Sequence, residues 1–233
     1  MNKEEFLQSL NDINITLNNN QLQQLEEYYN ILIEENKKYN LTSITNKEDV
    51  YLKHFYDSLT INKIINLTNQ SLCDIGTGAG FPGIVLKIAF PDLEVTLVDS
   101  TEKKCKFLNI VISKLKLQNI KVINERAEIY SKNNREKYDI VTSRAVAPLK
   151  HLLEYSIPLV KIDGYYIAMK SNITEEIIGI ENYEKKLKIN KIEEISFNLP
   201  KENSLRTLIK YQKKEVTDLK YPRKYTEIKK KNL

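Results

Sequence analysis

The chain has little of several residue types, and each shortage excludes something. Two cysteines in 233 residues, Cys73 and Cys105, cannot build a disulfide framework, so a reducing, cytoplasmic setting is expected. Two histidines and no C-x-x-C pair leave little material for a metal site, and no metal is expected. No apolar run approaches the length of a membrane helix, and Met1-Asn2-Lys3-Glu4-Glu5 lacks the apolar core of a signal peptide, so no membrane partner is expected. Tryptophan is absent, and the 14 tyrosines fall at core or interface spacing and not as a base-stacking platform. There is no internal repeat, no low-complexity linker, and no extended apolar heptad; a monomer is expected.

What is present is an ordinary globular composition, 41% hydrophobic and 29% charged. The length suits one large domain or a domain with an appendage. The net charge of +5 is unevenly spread: −7 over residues 1–100, +7 over 101–150, −1 over 151–209 and +6 over 210–233. Two basic blocks hint at a polyanionic partner such as nucleic acid, while a lysine-rich tail is also a common solubilising device.

The first seventy residues read as helical. Leu22, Leu25, Tyr28, Tyr29, Leu32 and Ile33 recur at three- and four-residue steps, a turn is expected at Asn18-Asn19-Asn20, and a further helix over 47–66. From residue 71 strands alternate with helices. Strands are expected at 72–75, 94–99, 120–123, 138–143 and 164–170, with helices at 82–90, 102–117, 128–133, 148–157 and 174–188. That rhythm predicts a parallel sheet covered on both faces. Two runs, 191–198 and 205–212, joined by a Pro200-Lys201-Glu202-Asn203 turn, predict an antiparallel hairpin at one edge. The expected organisation is a helical extension over 1–70, an α/β domain over 71–214 and a basic tail over 215–233.

Asp74-Ile75-Gly76-Thr77-Gly78-Ala79-Gly80-Phe81-Pro82-Gly83 sits where the first strand should turn into the first helix. Alternate glycines let the backbone turn tightly and approach a ligand, and Pro82 suits the first turn of the helix. Gly78, Gly80 and Gly83 satisfy G-x-G-x-x-G, but that triplet starts three residues beyond the strand end, where a dinucleotide motif should already have begun. Counted from the strand end, the pattern is acid-x-Gly-x-Gly-x-Gly. It resembles the first motif of class I S-adenosylmethionine-dependent methyltransferases. In that register Asp74 can face the methionine ammonium, and Asp99, closing the second strand, is placed for the two ribose hydroxyls.

Together with Val98-Asp99-Ser100, Lys103-Lys104-Cys105-Lys106-Phe107-Leu108, Arg126-Ala127-Glu128, Ser143-Arg144-Ala145-Val146-Ala147 and Lys220-Tyr221-Pro222-Arg223-Lys224, the loop resembles the bacterial 16S ribosomal RNA guanine-N7 methyltransferase G family, also known as glucose-inhibited division protein B. Asn40-Leu41-Thr42, His54 and Asp57-Ser58-Leu59 match as well, so the likeness runs from about residue 20 to 224. The resemblance implies a Rossmann-like class I methyltransferase fold with a seven-stranded, mostly parallel sheet. It implies S-adenosyl-L-methionine held by Gly76, Gly78, Phe81, Asp99, Ala127, Glu128 and Arg144. It also implies a guanine in a decoding-region loop of 16S ribosomal RNA as substrate, naked or within the small ribosomal subunit. Two departures stand out: Ser171 follows Lys170 where the family has glycine, and Tyr225-Thr226-Glu227-Ile228-Lys229 lacks the family's Gly and Pro.

The residues suit this chemistry. Ser143-Arg144-Ala145-Val146 replaces the (Asp/Asn)-Pro-Pro-aromatic clamp of amino-group methylation. Cys73 and Cys105 fall inside a strand and a helix, and neither is placed as a C5-methylation nucleophile. Guanine N7 has an in-plane lone pair and no proton, so its methylation asks for alignment without a general base. Arg144 is the main candidate for substrate contact, through guanine O6, a phosphate or the donor carboxylate. Lys170 and Arg223 are candidates for RNA phosphate. His54 reads as a packed core residue, and the acidic extension is expected to face away from RNA. A methyltransferase acting on protein or a small molecule would share every donor residue but leave the basic blocks unused. A donor-free RNA-binding relative and a nicotinamide dehydrogenase fit less well.

Overall fold

Short apolar strands whose neighbouring residues point to opposite faces need cover on both sides, and the helices between them supply it. The computed structural model describes residues 1–202 and 204–233. Its elements are α1 (Lys3–Asn11), α2 (Asn19–Tyr39), α3 (Lys47–Val50), α4 (Asp57–Leu59), β1 (Ser71–Ile75), α5 (Gly83–Ala89), β2 (Glu94–Asp99), α6 (Glu102–Lys114), β3 (Ile120–Asn124), α7 (Ala127–Asn133), β4 (Tyr138–Arg144), α8 (Leu149–Ser156), β5 (Val160–Lys170), α9 (Glu181–Leu187), β6 (Ile189–Asn198), β7 (Leu205–Lys213) and α10 (Tyr225–Lys230).

The seven strands run in the order β3-β2-β1-β4-β5-β7-β6. All pairs from β3 to β5 are parallel; β7 is antiparallel to both β5 and β6, as the hairpin reading predicts, with β6 on the edge. Asn203 of the expected hairpin turn lies outside the described residues. Chain order reverses between β1 and β4, which opens a crevice at the carboxyl ends of those strands.

Alternation along the strands divides the core in two. Leu72, Val95, Leu97, Ile140, Ile167 and Leu208 face one side, where they join α5, α6 and the N-terminal helices in a single apolar cluster. Cys73, Val98, Val141, Tyr166, Ala168 and Tyr211 face the other, under α7, α8 and α9. The N-terminal extension is therefore built into one face of the sheet.

Two local readings change. Asn18 is the cap of α2 and Asn19 its first residue, so the asparagine run starts the helix: Asn18 Oδ1 accepts from the Gln21 amide at 3.0 Å, and Gln21 Oε1 accepts from the Asn18 amide at 2.8 Å. Gln21 Nε2 then donates to the last carbonyls of α5, Ile88 at 2.9 Å and Ala89 at 3.0 Å. The helix expected over 47–66 is broken, with α3 passing through a π-helical segment (Tyr51–Tyr56) into α4 and a 3₁₀ turn (Thr60–Lys63). The wider turn lets Tyr51, Leu52, Phe55 and Tyr56 all bury while His54 and Asp57 reach the sheet edge. Among the described residues no helix is long and apolar enough to cross a membrane.

Candidate active site

A cleft of about 550 Å³ lies at the carboxyl ends of β1, β2 and β4. Its floor is the loop from Gly76 to Phe81. Gly76 (φ +69°), Gly78 (φ +62°) and Gly80 (φ +95°) are all left-handed, a conformation open to glycine at little cost. The three do different work. A Cβ on Gly76 would lie 2.5 Å from Val146 Cγ1, and one on Gly80 would lie 2.6 Å from the Tyr28 hydroxyl. A Cβ on Gly78 would meet nothing nearer than the Gly76 carbonyl at 3.9 Å, so here the backbone edge faces open space in the cleft.

The loop is held from three directions. Gly76 N–H donates to the Val98 carbonyl at 2.8 Å. Asp99 Oδ2 accepts from the Gly78 amide at 3.0 Å and Oδ1 from the Thr101 amide at 2.8 Å, with Lys104 Nζ 3.9 Å from Oδ2. The third support comes from the extension, where the buried Tyr28 hydroxyl donates to the Ala79 carbonyl and its ring packs on Phe55 and Phe81.

Asp74 does not face the cleft as the motif register suggests. It is fully buried beneath the loop, where Oδ2 accepts from the Gly83 amide at 2.9 Å. Gly83 is needed for that approach, since a Cβ there would stand 2.3 Å from Leu97 Cδ2 and 2.9 Å from the same carboxylate oxygen. Burial raises the Asp74 carboxyl from 3.8 to about 6, against the pull of the Gly83 amide and the Arg144 charge.

Arg144, at the end of β4, borders the cleft but is drawn toward the extension. Nη1 donates to the Lys53 carbonyl at 3.0 Å and to Asp57 Oδ2 at 3.2 Å, and Nη2 lies 3.3 Å from His54 Nδ1. The other Asp57 oxygen accepts from Arg206 Nε at 3.0 Å. His54 is buried, as expected for a core residue, yet it also lines the cleft, stacked on Phe81 with ring centroids 4.3 Å apart. Burial, then the Arg144 charge, pull its pKa to about 3, so the ring is neutral. A guanidinium only donates, so Nδ1 accepts from Arg144 and Nε2–H donates to Thr42 Oγ1 at 3.0 Å. Leu41, Thr42 and His54 bring the extension to the cleft wall.

Gly76, Gly78, Phe81, Asp99, Ala127, Glu128 and Arg144 all line this one cleft. Glu128 accepts from Arg126 Nε at 2.6 Å, and the Arg126 guanidinium lies 4.3 Å from the Tyr225 ring centroid. The two residues expected to hold RNA phosphate are committed elsewhere. Lys170 Nζ, on a side chain 8% exposed, donates to the Ala147 carbonyl at 2.9 Å and pairs with Glu176 at 2.8 Å. Arg223 binds the fully buried Glu154, Nε to Oε1 and Nη2 to Oε2, both at 2.8 Å. Both are therefore internal ties, because a phosphate would have to displace a carboxylate already in place. Asp57, Thr42, Tyr155 and Tyr225 were not singled out for the site. The matching runs Asn40-Leu41-Thr42 and Asp57-Ser58-Leu59 carried the only sequence signal for the first two.

A family model described as GidB, rRNA small subunit methyltransferase G, matches residues 21–220. The chain belongs to this family. A relative from Bacillus cytotoxicus named ribosomal RNA small subunit methyltransferase G is 47% identical over 228 residues, covering 96% of this chain and 95% of the relative. One of the same name from Staphylococcus carnosus is 46% identical over 229 residues, with the same coverage. Among solved structures, M. jannaschii TYW2 in complex with AdoMet superimposes with a TM-score of 0.54 at 15% identity, over 67% of this chain and 76% of that one. Precorrin-6y C5,15-methyltransferase from Geobacter metallireducens gives 0.52 at 12% identity, over 77% and 96%. These likenesses are to the fold, that of class I methyltransferases. The cofactor of the family fold is S-adenosylmethionine, and the cleft fits it. The open edge at Gly78 accepts close approach of a ligand, and the Asp99 carboxylate lies beside it as an acceptor for hydroxyls.

Proposed function

We propose that this protein transfers the methyl group of S-adenosylmethionine to N7 of a guanine in 16S ribosomal RNA. The observation that carries the reading is the character of the cleft, which is built to hold and align. Gly78 and Asp99 form an open cradle, while the cleft histidine is neutral and has both ring nitrogens engaged by Arg144 and Thr42. A guanine N7 needs alignment and no proton removal, so such a site suffices.

The bound donor supplies an electrophilic methyl on its sulfonium. Gly76, Gly78 and Phe81 form the floor on which it is oriented, with Asp99 beside Gly78 and Ala127 and Glu128 lining the same cleft. Arg144 has three of its roughly five N–H groups spent on Lys53, Asp57 and His54. The remaining two can donate to guanine O6, which marks guanine beside the attacking N7 without occupying it. Residues 101–150, which supply Thr101, Lys104, Arg126 and Arg144 to the cleft, carry a net charge of +7, which favours a polyanion over a protein or small-molecule substrate.

The test is incubation with tritiated donor and, separately, deproteinised ribosomal RNA, whole small subunits and total protein. Label is expected in 16S RNA, at one guanine that cleaves after borohydride reduction and aniline. Label confined to protein, or RNA label at a position resistant to that cleavage, overturns the assignment. The comparison of naked RNA with subunits identifies the form recognised.

A further inference from the structure

The basic tail has a place in the fold that its charge does not suggest. Arg135 Nη1 donates to the Tyr221 carbonyl at 2.7 Å and Nη2 to the Thr217 carbonyl, fixing the chain after β7. Arg223 then makes three bonds to Glu154 of α8: its backbone amide to Oε1 at 2.9 Å, Nε to Oε1 at 2.8 Å and Nη2 to Oε2 at 2.8 Å. Glu154 is fully buried, so losing Arg223 would strand a charge in the core. Two residues further on, α10 begins with Tyr225, and its Ile228 is buried against the domain.

Tyr225 lines the same cleft as Gly78 and Asp99. Its ring carries the Arg126 guanidinium at 4.3 Å and the Lys229 ammonium at 4.8 Å from its centroid. Arg126 in turn holds Glu128 at 2.6 Å, and Tyr155 completes the wall beside Ala127. Aromatic rings and a small apolar residue at this end of the cleft suit a flat apolar ring, and the donor carries one in its adenine.

We infer that the C-terminal tail is part of the donor site: Tyr225 forms the wall of the cleft beside Ala127 and Glu128, and the Arg223–Glu154 anchor positions it there. This rests on the methyltransferase reading above. Tyr225 is a binding residue and Arg223 a positioning residue, so the tail acts on the donor and not as a clamp on RNA phosphate.

Titration calorimetry with S-adenosylhomocysteine on the full-length protein tests this, comparing wild type with Tyr225→Ala and Tyr225→Phe. Tyr225→Ala is expected to weaken binding about fivefold or more, while Tyr225→Phe, which keeps the ring face under Arg126, stays within about twofold of wild type. Melting of the ligand-free proteins serves as the control for a purely structural effect, and the ligand-free Tyr225→Ala protein is expected to melt with wild type. Equal affinity in wild type and Tyr225→Ala overturns the inference. So does unchanged donor affinity with a raised KM for small subunits, the behaviour of an RNA clamp. Wild-type protein that fails to bind S-adenosylhomocysteine would instead reject the methyltransferase reading itself.

Discussion

Asp57→Ala removes the carboxylate that two arginines share. In the native protein the Asp57 side chain is 6% exposed, Arg144 13% and Arg206 20%, so the three charges are mostly shielded from water. Breaking a buried pair by deleting one partner costs about 3–5 kcal/mol, because the other charge stays buried. The lower end applies here. Arg144 keeps the Lys53 carbonyl and His54 Nδ1, and Arg206 keeps Ser204 Oγ at 2.7 Å and the Leu205 carbonyl at 3.0 Å. A loss of about 3 kcal/mol is a large part of the roughly 5–15 kcal/mol that stabilises a domain. With a urea slope of about 1–3 kcal/mol per molar, the unfolding midpoint should fall by about 1–3 M. The assay is urea unfolding followed by circular dichroism, with the slope checked for constancy. Asp57→Ala in an Arg206→Met background should lose less than in wild type, since one stranded cation has gone. A midpoint shift below about 0.3 M at unchanged slope would refute the reasoning, and so would full additivity in the double variant.

Asp74 binds its proton more tightly folded than unfolded, so the stability it contributes is present below about pH 4 and is lost as pH rises through about 6. A rise from 3.8 to about 6 corresponds to about 3 kcal/mol, and Asp74→Asn should gain about that much on wild type between pH 4 and 7; parallel stability–pH curves would contradict it. Gly78→Asp fills the open edge of the loop and puts a Cβ on a left-handed residue, so S-adenosylhomocysteine binding should vanish by calorimetry while stability falls by only about 1–2 kcal/mol; retained binding would show that the edge is not the cradle. Lys170→Met breaks a largely buried pair with Glu176 and should lower stability by about 1–3 kcal/mol, with KM for small subunits within about twofold; the opposite pattern would restore a phosphate role.

The strands, the parallel sheet and its antiparallel edge were legible because each is written locally, as apolar runs with turn residues between. The donor loop was legible for the same reason, since four of the six glycines crowd into residues 76–83. What was not legible depends on distant partners or on the direction of a side chain. Asp74 lies below its loop on the Gly83 amide, a direction that the acid-x-Gly-x-Gly-x-Gly pattern does not encode. Arg223 in a basic tail reads as a phosphate donor until Glu154, 69 residues earlier, is seen beneath it. The segment over 47–66 has apolar residues on every side, so its periodicity cannot distinguish an α-helix from the π-helical course it takes. Lys170 is different, because Glu176 is only six residues away and the returning loop was within reach of a local reading.

The extension's ties to the sheet also set an order of assembly. Tyr28 waits for Ala79, 51 residues later; Asp57 waits for Arg144, 87 later, and for Arg206, 149 later. As the chain is synthesised, the apolar faces of α1 and α2 leave first and have no sheet to cover them. Asp57 gains its second arginine only when nearly the whole chain is out. The segment around α4 is thus the last part of the extension to be secured, since α2 has the Ala79 loop and the end of α5 to pack on well before β7 arrives. A shortened chain lacking the hairpin should therefore lose the order of α4 before that of α2 or of β1 to β4.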